Sequence, residues 1–465
     1  MTSHAHQVEL ESVWGDESPV VEQAIDWVRR RVVRPSDPKT TARPAAELAA
    51  ATGRTITAEG IGGDRALRIF DEILAPATRA QDDPLMLAYV PAAPTRAAIA
   101  FELVTSAANV FAGHWEAGAG AIHAENEALG WLVDLLGWPA SAGGCFVPGG
   151  TAGNLAALVA AREHARTRGV APAADGRWRL ACTADAHSSI RAITRVMDVD
   201  PVTVPGDERG RMTGAALRAV LDTTDGVFAV VASAGTTNAG VVDDLAGVAD
   251  AAQAAGAWLH IDGAYGGAAL AAPTVRHLFT GIDRADSFIV DPHKWLFAPY
   301  DCCALLYRDP TLGQAAHAQN ASYLDTVDRR QSNPADLAVH LSRRARGLPF
   351  WFSLATHGTA RYTAAIERSL TNARTVAAAI DANPRLRLVC PPELSVILFD
   401  HPGWTDRDYT AWSAKLSREG LMLCLPTRWQ DRTVLRLAFV NPATDPTRVI
   451  ELLDRMDADL ADARS

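Results

Sequence analysis

The stretch Ser-Phe-Ile-Val-Asp-Pro-His-Lys-Trp, residues 287–295, decides how the rest of the chain is interpreted. Its apolar residues 288–290 predict the end of a buried strand, which Pro292 terminates. His293 and Lys294 then follow at the carboxyl end of that strand, where open α/β sheets bind their ligands. Burial among apolar neighbours would lower the pKa of Lys294, and a neutral amine can attack a carbonyl to form a Schiff base. Read alone, Lys294 is more often a surface residue, so its role depends on the other strand ends.

Composition and charge are typical of a globular protein and exclude some classes of partner. The chain has 465 residues. A chain of this length usually exceeds the size of a single hydrophobic core, so two or three lobes are expected. Its net charge of −10 argues against binding a phosphate backbone, which needs a basic face. No apolar run reaches membrane-spanning length, and residues 1–15 are polar and acidic rather than signal-like. We therefore expect neither a nucleic acid nor a membrane as a partner.

The cysteine pattern indicates neither a metal site nor a disulfide framework. The chain contains six cysteines, and no two of them form a Cys-x-x-Cys pair. We expect no metal ion, and a reduced cytoplasmic setting follows as the default.

Three regions follow from the pattern along the chain. Residues 1–85 contain short helical patterns without a strand signal and predict an N-terminal arm. Residues 86–310 alternate between strands and helices, which is typical of a large domain built on a mostly parallel sheet. Residues 311–465 predict a small C-terminal α+β domain that begins with a polar loop over 314–334, a candidate mobile loop. Within that domain we expect strands at 394–400, 421–425 and 434–439, then one terminal helix over 446–461.

A glycine turn lies directly before an alanine-rich helix that is predicted over 152–166. Its sequence is Pro-Gly-Gly-Thr, residues 148–151. Gly149 and Gly150 let backbone amides approach an anion closely, the helix N-terminus adds unpaired N–H groups, and Thr151 adds a hydroxyl. The turn is a candidate phosphate site, although a Gly-Gly-Thr sequence alone is more often a helix cap.

Two more strand ends present polar side chains. His187 follows the strand predicted at 179–183, where a lone histidine is more often structural. Asp262 ends the apolar strand that begins at Trp258, and a carboxylate buried there needs a cationic partner. The small residues after Asp262 leave room for a flat group against the backbone. Elsewhere, Thr213 and Asp243 are expected to cap the helices that follow them.

Together these strand ends match the requirements of pyridoxal 5′-phosphate. Its phosphate needs backbone donors, its ring a flat partner, its pyridinium nitrogen a carboxylate, and its aldehyde a lysine. The glycine turn, His187, Asp262 and Lys294 supply these four features at one edge of the expected sheet. Because all four features occur together, a cofactor site is a better interpretation than four separate structural roles.

The same motifs resemble those of the pyridoxal-phosphate-dependent group II amino-acid decarboxylases, which include aromatic-L-amino-acid and glutamate decarboxylases. The most specific pieces are Asp-Ala-His-Ser-Ser at 185–189, His-Ile-Asp-Gly-Ala-Tyr at 260–265 and Asp-Pro-His-Lys-Trp at 291–295. The resemblance covers residues 84–442. It implies the fold type I architecture, with a mostly parallel seven-stranded sheet between helices, and a homodimer with active sites at the subunit interface.

The resemblance also implies a role for each candidate residue. Lys294 would form the Schiff base, Asp262 would pair with the pyridinium nitrogen, and His187 would stack on the ring. Arg436 would bind the α-carboxylate of the substrate, although an exposed arginine at a strand edge is the alternative. The remaining cofactor contacts would come from Gly149, Gly150 and Thr151 with help from His293 and Ser287, and from Thr236 and Ala264.

The sequence departs from the family pattern at two points that bear on the chemistry. Asp291 stands where aromatic-acid members often have Asn, and its carboxylate would need to point away from the phosphate. Those members also use a loop tyrosine to protonate Cα, and Tyr323 is the single tyrosine in the loop here. The candidate proton donors are therefore Lys294, His187, Tyr323 and His340, of which the first two are favoured.

The function expected from these observations is decarboxylation of an L-amino acid to its amine. An aromatic substrate is favoured because Tyr89 and Trp115 could line an apolar pocket shared across a dimer interface. Three alternatives stay open. They are decarboxylation coupled to oxidative deamination, an aminotransferase or carbon–carbon lyase on the same fold, and a catalytically silent relative that binds the cofactor.

Overall fold

The computed structural model describes residues 18–34, 37, 39, 41–91, 93–319 and 330–464. In the N-terminal part, helices α1 (Ser18–Val33), α2 (Ala45–Thr52) and α3 (Gly63–Ile69) precede a π-helical turn over Phe70–Leu74. After these helices, the backbone at Met86 forms a parallel bridge with Leu423, which connects this region to the C-terminal part of the chain.

A seven-stranded sheet forms the centre of the molecule, in the order β1-β7-β6-β5-β4-β2-β3. Only β7 runs antiparallel to its neighbours, which confirms the mostly parallel sheet that the alternating pattern predicts. The strands are β1 (Gly143–Val147), β2 (Arg179–Thr183), β3 (Asp200–Val204), β4 (Val227–Ser233), β5 (Trp258–Asp262), β6 (Ser287–Val290) and β7 (Cys303–Tyr307).

Helices cover both faces of this sheet. In β4, Val230 and Ala232 join one hydrophobic cluster, whereas Ala229 and Val231 join another on the opposite face. The continuous apolar run of this strand therefore reflects burial on two sides. The helices around the sheet are α4 (Arg96–Ala108), α5 (Trp115–Leu136), α6 (Gly150–Thr167), α7 (Ser188–Met197), α8 (Gly214–Leu221), α9 (Leu245–Ala255), α10 (Pro310–His317), α11 (Leu348–His357) and α12 (Thr359–Ala382).

A smaller antiparallel sheet follows, in the order β10-β11-β9-β8, and packs on a cluster of its own. The strand expected at 421–425 begins only at Leu425, because the backbone around Leu423 pairs with residues 85–87 instead. The expected terminal helix is two helices that meet at Arg455. The elements are β8 (Arg387–Leu388), β9 (Val396–Asp400), α13 (Asp406–Arg418), β10 (Leu425–Trp429), β11 (Arg432–Ala438), α14 (Pro446–Asp454) and α15 (Met456–Arg464).

One of the two expected helix caps is correct. The Thr213 hydroxyl accepts from the amide of Ala216 at the start of α8. Helix α9 is capped by Asp244, not by Asp243, which was the wrong residue of the pair. Asp243 instead accepts from two backbone amides at 2.7 Å, and burial raises its pKa to about 7.

The polar loop begins later than expected, since Gln314 still lies within α10. Residues 320–329 of the expected loop lie outside the described residues. Within the part of the chain that is described, no helix combines the length and the apolar character needed to span a membrane.

Candidate active site

Five strand ends meet at one edge of the large sheet. Strands β1, β2, β4, β5 and β6 run in the same direction, so the segments that follow them emerge side by side. These segments carry the candidate residues Gly149, His187, Thr236, Asp262 and Lys294. The sequence-predicted cofactor residues therefore lie along a single edge.

The glycine turn forms the N-terminus of α6. The helix begins at Gly150, two residues earlier than predicted, with Gly149 as its N-cap, and Thr151 lies exposed in the first turn. A Cβ atom on Gly150 would stand 3.2 Å from Asp291 Oδ2 and 3.3 Å from the Cβ of Ala264. A side chain here would fill the space in front of the helix N-terminus, where unpaired amides suit a phosphate. The geometry fits the phosphate group of the expected cofactor.

Asp262 is the last residue of β5 and is buried. Asn154 Nδ2 donates to its Oδ2 at 2.9 Å, and the amide of Ala264 donates to its Oδ1 at 3.1 Å. Both oxygens therefore act as acceptors, and the carboxylate is fixed in one orientation. A carboxylate held in this way suits a protonated ring nitrogen.

His187 combines a structural role with an accessible ring. It is the N-cap of α7, and its Nδ1 accepts from the amide of Ser189 at 3.2 Å. The Ser189 hydroxyl lies 2.8 Å from the same nitrogen. The ring is pinned through Nδ1 while the side chain remains exposed, so a face is available to a flat group.

Lys294 forms an ion pair that the sequence did not predict. Its Nζ lies 2.9 Å from Asp291 Oδ2. Burial alone would lower the pKa of Lys294, but the charge of Asp291 and the hydrogen bond between them raise it overall. The ion pair with Asp291 therefore favours the protonated form of Lys294, opposite to the lowered pKa that burial alone would give.

Asp291 does not point away from the glycine turn. Burial opposes its ionisation, but the charges of Lys294 and His293 outweigh that effect and lower the pKa of the carboxyl. Its Oδ2 faces the position of a Gly150 side chain, so the carboxylate lies between the lysine and the phosphate turn. The ammonium of Lys294 offsets part of the repulsion that a phosphate would feel from this carboxylate.

Two other candidates lie at the edge, and one does not. His293 Nδ1 lies 2.7 Å from the Cys302 carbonyl oxygen, to which it donates, and the Thr236 hydroxyl accepts from the Val241 amide at 3.2 Å. Burial lowers the pKa of His293. Ser287 lies at the start of β6 rather than at its end, beside His260 in the strand register. It is fully buried there, so it is not a phosphate ligand.

Arg436 is buried in the middle of the small sheet, since β11 lies between β10 and β9. Its guanidinium donates to the carbonyl of Tyr89 at 2.6 Å and to that of Thr237 at 2.7 Å. The alternative of an exposed arginine at a strand edge is thus wrong. Tyr89 itself is 63% exposed and has a φ of 58°, in the left-handed region.

The structure does not bring every candidate together. Trp115 begins α5, where its amide donates to Asn333 Oδ1 and its ring packs on the cluster around Ile122. Among the described residues, no hydrogen bond or ring contact joins Trp115 to Tyr89 or to Arg436. His340 Nε2 lies 2.8 Å from the Pro334 carbonyl oxygen, whereas Tyr323 lies outside the described residues.

Sequence reasoning missed two polar residues that support the site. Asn154 lies in the alanine-rich α6, and His260 lies in the middle of β5, and both are fully buried. Each is polar at a position where its neighbours are apolar. Since buried polar groups need hydrogen-bond partners, that contrast was the signal available in the sequence.

Comparisons with known proteins agree with this geometry. Residues 63–401 match the family described as the pyridoxal-dependent decarboxylase conserved domain. The chain is 31% identical to an aromatic-L-amino-acid decarboxylase of Bacillus atrophaeus over 394 residues, which cover 81% of each chain. It is 33% identical to an L-2,4-diaminobutyrate decarboxylase of Rhizobium meliloti over 376 residues, 77% of this chain and 74% of the relative.

The fold also matches solved structures over almost its whole length. The crystal structure of Oryza sativa TDC with PLP and tryptamine superposes with a TM-score of 0.88 and 25% identity, covering 96% of this chain and 98% of that one. Fold type, cofactor and enzyme class are thereby confirmed. The chain belongs to the pyridoxal-dependent decarboxylase family and is an amino-acid decarboxylase that uses pyridoxal 5′-phosphate.

Proposed function

We propose that this decarboxylase converts an aromatic L-amino acid into its amine and carbon dioxide, with Lys294, Asp262 and His187 as its catalytic residues. The observation that carries the proposal is the bond between the buried Arg436 and the carbonyl of the exposed Tyr89. It places the guanidinium beside the backbone of a residue whose aromatic side chain is exposed, and an aromatic amino acid needs both a cation for its carboxylate and an apolar contact for its ring. The names of the Bacillus relative and of the rice structure with tryptamine point in the same direction.

The proposed cofactor residues bind different parts of pyridoxal phosphate. When bound, pyridoxal phosphate supplies an electron sink for the bond that breaks as CO₂ leaves. Gly149, Gly150 and Thr151 would bind its phosphate at the N-terminus of α6, with His293 beside them. The ring would lie between His187 and the backbone near Ala264, Thr236 would line the cofactor, and Lys294 would hold it covalently.

Arg436 is the proposed ligand of the substrate carboxylate. Its described hydrogen bonds all go to neutral carbonyl oxygens of Tyr89, Thr237 and Asn238, and none of the described ion pairs includes it. Burial lowers its pKa, as expected for a cation that lacks an anionic neighbour. A substrate carboxylate would provide that anion and would thereby orient the bond to be broken.

The proton that replaces CO₂ would come from Lys294. The charge of Asp291 raises the pKa of this amine despite its burial, so Nζ carries a proton when it is not bonded to the cofactor. Asp291 Oδ2 at 2.9 Å can keep that proton in place. His187 is the second candidate, because its exposed ring lies beside the same edge.

We also propose a homodimer in which Trp115 of one subunit contributes to the substrate pocket of the other. Within one chain, Trp115 begins α5 and is tied to Asn333, apart from Arg436. A cytoplasmic setting suits the six cysteines, which are all free thiols.

The proposal is tested by incubating the holoenzyme with tryptophan, tyrosine, phenylalanine, glutamate and 2,4-diaminobutyrate. Carbon dioxide, amine, aldehyde and peroxide are measured together. We expect equal amounts of CO₂ and amine from an aromatic amino acid, and none from Lys294→Ala. Turnover of glutamate or diaminobutyrate alone would refute the aromatic substrate, and aldehyde with peroxide would refute the amine product.

The role of Arg436 is tested in the same assays. Arg436→Gln should weaken binding of the amino acid at least tenfold and leave inhibition by the product amine, which has no carboxylate, nearly unchanged. Equal weakening of both ligands would mean that Arg436 acts only by holding Tyr89 in place.

A further inference from the structure

A series of hydrogen-bonded, buried side chains runs from Trp258, at the start of β5, to Asp262 at its end. Trp258 Nε1 lies 2.8 Å from Ser287 Oγ, which lies 2.8 Å from His260 Nδ1. His260 Nε2 lies 2.8 Å from Asn154 Oδ1, and Asn154 Nδ2 lies 2.9 Å from Asp262 Oδ2. All five side chains are buried, and Ser287 and His260 are fully so.

The donor at one end of this series and the acceptor at the other orient all of its hydrogen bonds in the same direction. An indole N–H can only donate, so the Ser287 hydroxyl oxygen accepts from Trp258 and its hydrogen is left for His260 Nδ1. Burial lowers the pKa of His260 to about 4, so the ring is neutral and carries its proton on Nε2. That N–H donates to the Asn154 oxygen, which turns the Asn154 amide nitrogen towards Asp262. Every donor in the chain therefore points to the carboxylate.

Asn154 also connects the carboxylate to His187. Its Nδ2 lies 3.3 Å from Ser189 Oγ, which lies 2.8 Å from His187 Nδ1. The amide of Ser189 donates to that same nitrogen, so Nδ1 is an acceptor and the proton of His187 lies on Nε2. Asn154 thus contacts Asp262 directly and is linked to His187 through the Ser189 hydroxyl.

We propose that Asn154 and His260 are positioning residues that jointly fix Asp262 as the acceptor for the cofactor ring nitrogen and fix the tautomer of His187. This inference rests on the proposed roles of Asp262 and His187. Aligned hydrogen bonds polarise one another, and a bond that ends on a carboxylate is stronger than one between neutral groups. If a link is removed, the Asn154 amide can rotate and turn its oxygen towards Asp262, so the carboxylate loses its donor.

A purely structural role would not need this set of residues. Buried polar groups contribute little net stability over apolar groups of the same shape, whereas one missing partner costs about 1–3 kcal/mol. An apolar side chain at position 260 would suit a strand whose other residues before Asp262 are Trp258, Leu259 and Ile261. The polar chain is therefore explained by what it does to Asp262.

The test uses holoenzyme loaded with pyridoxal phosphate that carries ¹⁵N at its ring nitrogen. In the wild type the ¹⁵N resonance should be that of a protonated ring. His260→Phe keeps an aromatic ring but breaks the chain, so the resonance should move towards an unprotonated ring and kcat should fall about 10–100-fold, as for other supporting partners. His260→Gln, which can donate to Asn154 and accept from Ser287, should restore most of both.

A graded series separates this effect from damage to the fold. Trp258→Phe removes only the terminal donor and should lower kcat about 2–5-fold, less than Ser287→Ala, which removes two bonds. If His260→Phe does not fold, Ser287→Ala provides the same test through the loss of a single oxygen. An unchanged ¹⁵N resonance and an unchanged kcat in the broken-chain variant would overturn the proposal, as would failure of His260→Gln to exceed His260→Phe.

Asp262→Asn distinguishes failure of this inference from failure of the proposed site. If Asp262→Asn leaves the ring nitrogen protonated, Asp262 is not its partner and both proposals fall. If Asp262→Asn removes the proton while His260→Phe does not, the role of Asp262 stands and only the supporting chain is refuted.

Discussion

The charges around Lys294 set the conditions under which the cofactor can bind. Asp291 Oδ2 lies 2.9 Å from the ammonium and faces the glycine turn at the same time. An incoming phosphate therefore meets a carboxylate as well as the amides of α6. The amine must also lose its proton before it can attack the cofactor aldehyde. If Lys294 is the lysine that holds the cofactor, as proposed, we expect Asp291 to slow cofactor capture, because it favours the protonated form of the amine.

Replacing this carboxylate should accelerate cofactor capture. Asp291→Asn removes the charge that raises the pKa of Lys294, so a larger fraction of the amine is neutral at a given pH. We expect apoprotein of the variant to bind pyridoxal phosphate several-fold faster, with the midpoint of its rate–pH profile at lower pH. Stopped-flow absorbance measures both. Asp381→Asn, an exposed carboxylate on α12, is the control and should leave the profile unchanged.

The same pair predicts how stability depends on pH. The lowered pKa of Asp291 stabilises the fold above its unfolded pKa, and this is lost as pH falls through the folded value. The raised pKa of Lys294 stabilises below its unfolded pKa, and this is lost as pH rises through the folded value. The difference in unfolding free energy between wild-type apoprotein and Asp291→Asn should therefore be largest between these limits. A difference that grows in strong alkali would contradict the assignment.

At the scale of elements, the contact between α6 and β6 places the phosphate turn against the sheet. A Cβ atom on Gly153 would stand 2.8 Å from Ile289 Cγ2 and 3.2 Å from Cys303 Sγ. The helix can approach this closely only because residue 153 has no side chain. The positions of Gly150 and Asn154 on either side of it depend on that approach.

Gly153→Ala should therefore destabilise the protein although alanine favours helices. Alanine gains about 0.5–1 kcal/mol of helix propensity, whereas overpacking costs about 1–3 kcal/mol. Gly130→Ala in α5 is the matched control, since no atom lies within 4 Å of its added Cβ, and it should be stabilising. Urea denaturation of both variants measures the contrast. A Gly153→Ala protein as stable as Gly130→Ala would show that the helix moves away freely.

The sequence predicted most elements of the large sheet because buried parallel strands are continuous apolar runs. Boundaries were less certain, since adjacent residues such as Asp243 and Asp244 can each cap a helix and only the fold selects one. The strand near Leu423 was misplaced because its backbone partner, Leu87, lies far away along the chain. His260 was missed for the same reason, since its partner Asn154 lies 106 residues earlier.

At the scale of the whole molecule, one buried ion pair joins the helices before the sheet to the segment before α11. Arg343 donates to Glu125 through both terminal nitrogens, at 2.8 and 2.9 Å, and both side chains are 2% exposed. Glu125 also accepts from the Gly347 amide, and Arg343 donates to the Ala112 carbonyl. The pair thus joins α5, the backbone just before α5 and the segment before α11.

Glu125→Gln should be strongly destabilising although it keeps the shape of the side chain. It leaves a buried guanidinium without its counter-charge, which typically costs about 3–5 kcal/mol. Glu451→Gln removes an exposed partner of Arg448 and should cost less than about 1 kcal/mol. Thermal unfolding compares the two variants. Equal shifts in Tm would show that solvent reaches the buried pair.

The bonds from Arg436 to Tyr89 and Thr237 have a consequence for synthesis of the chain. They tie together residues that leave the ribosome 347 and 199 positions apart. Contacts of such separation form late, because a long loop must be closed before they are gained. The cofactor edge of the large sheet can be translated and folded while Tyr89 still has no anchor. If Arg436 binds the substrate carboxylate, as proposed, we expect a nascent chain to be able to hold the cofactor before it can hold a substrate, because β11 is the last strand to be made.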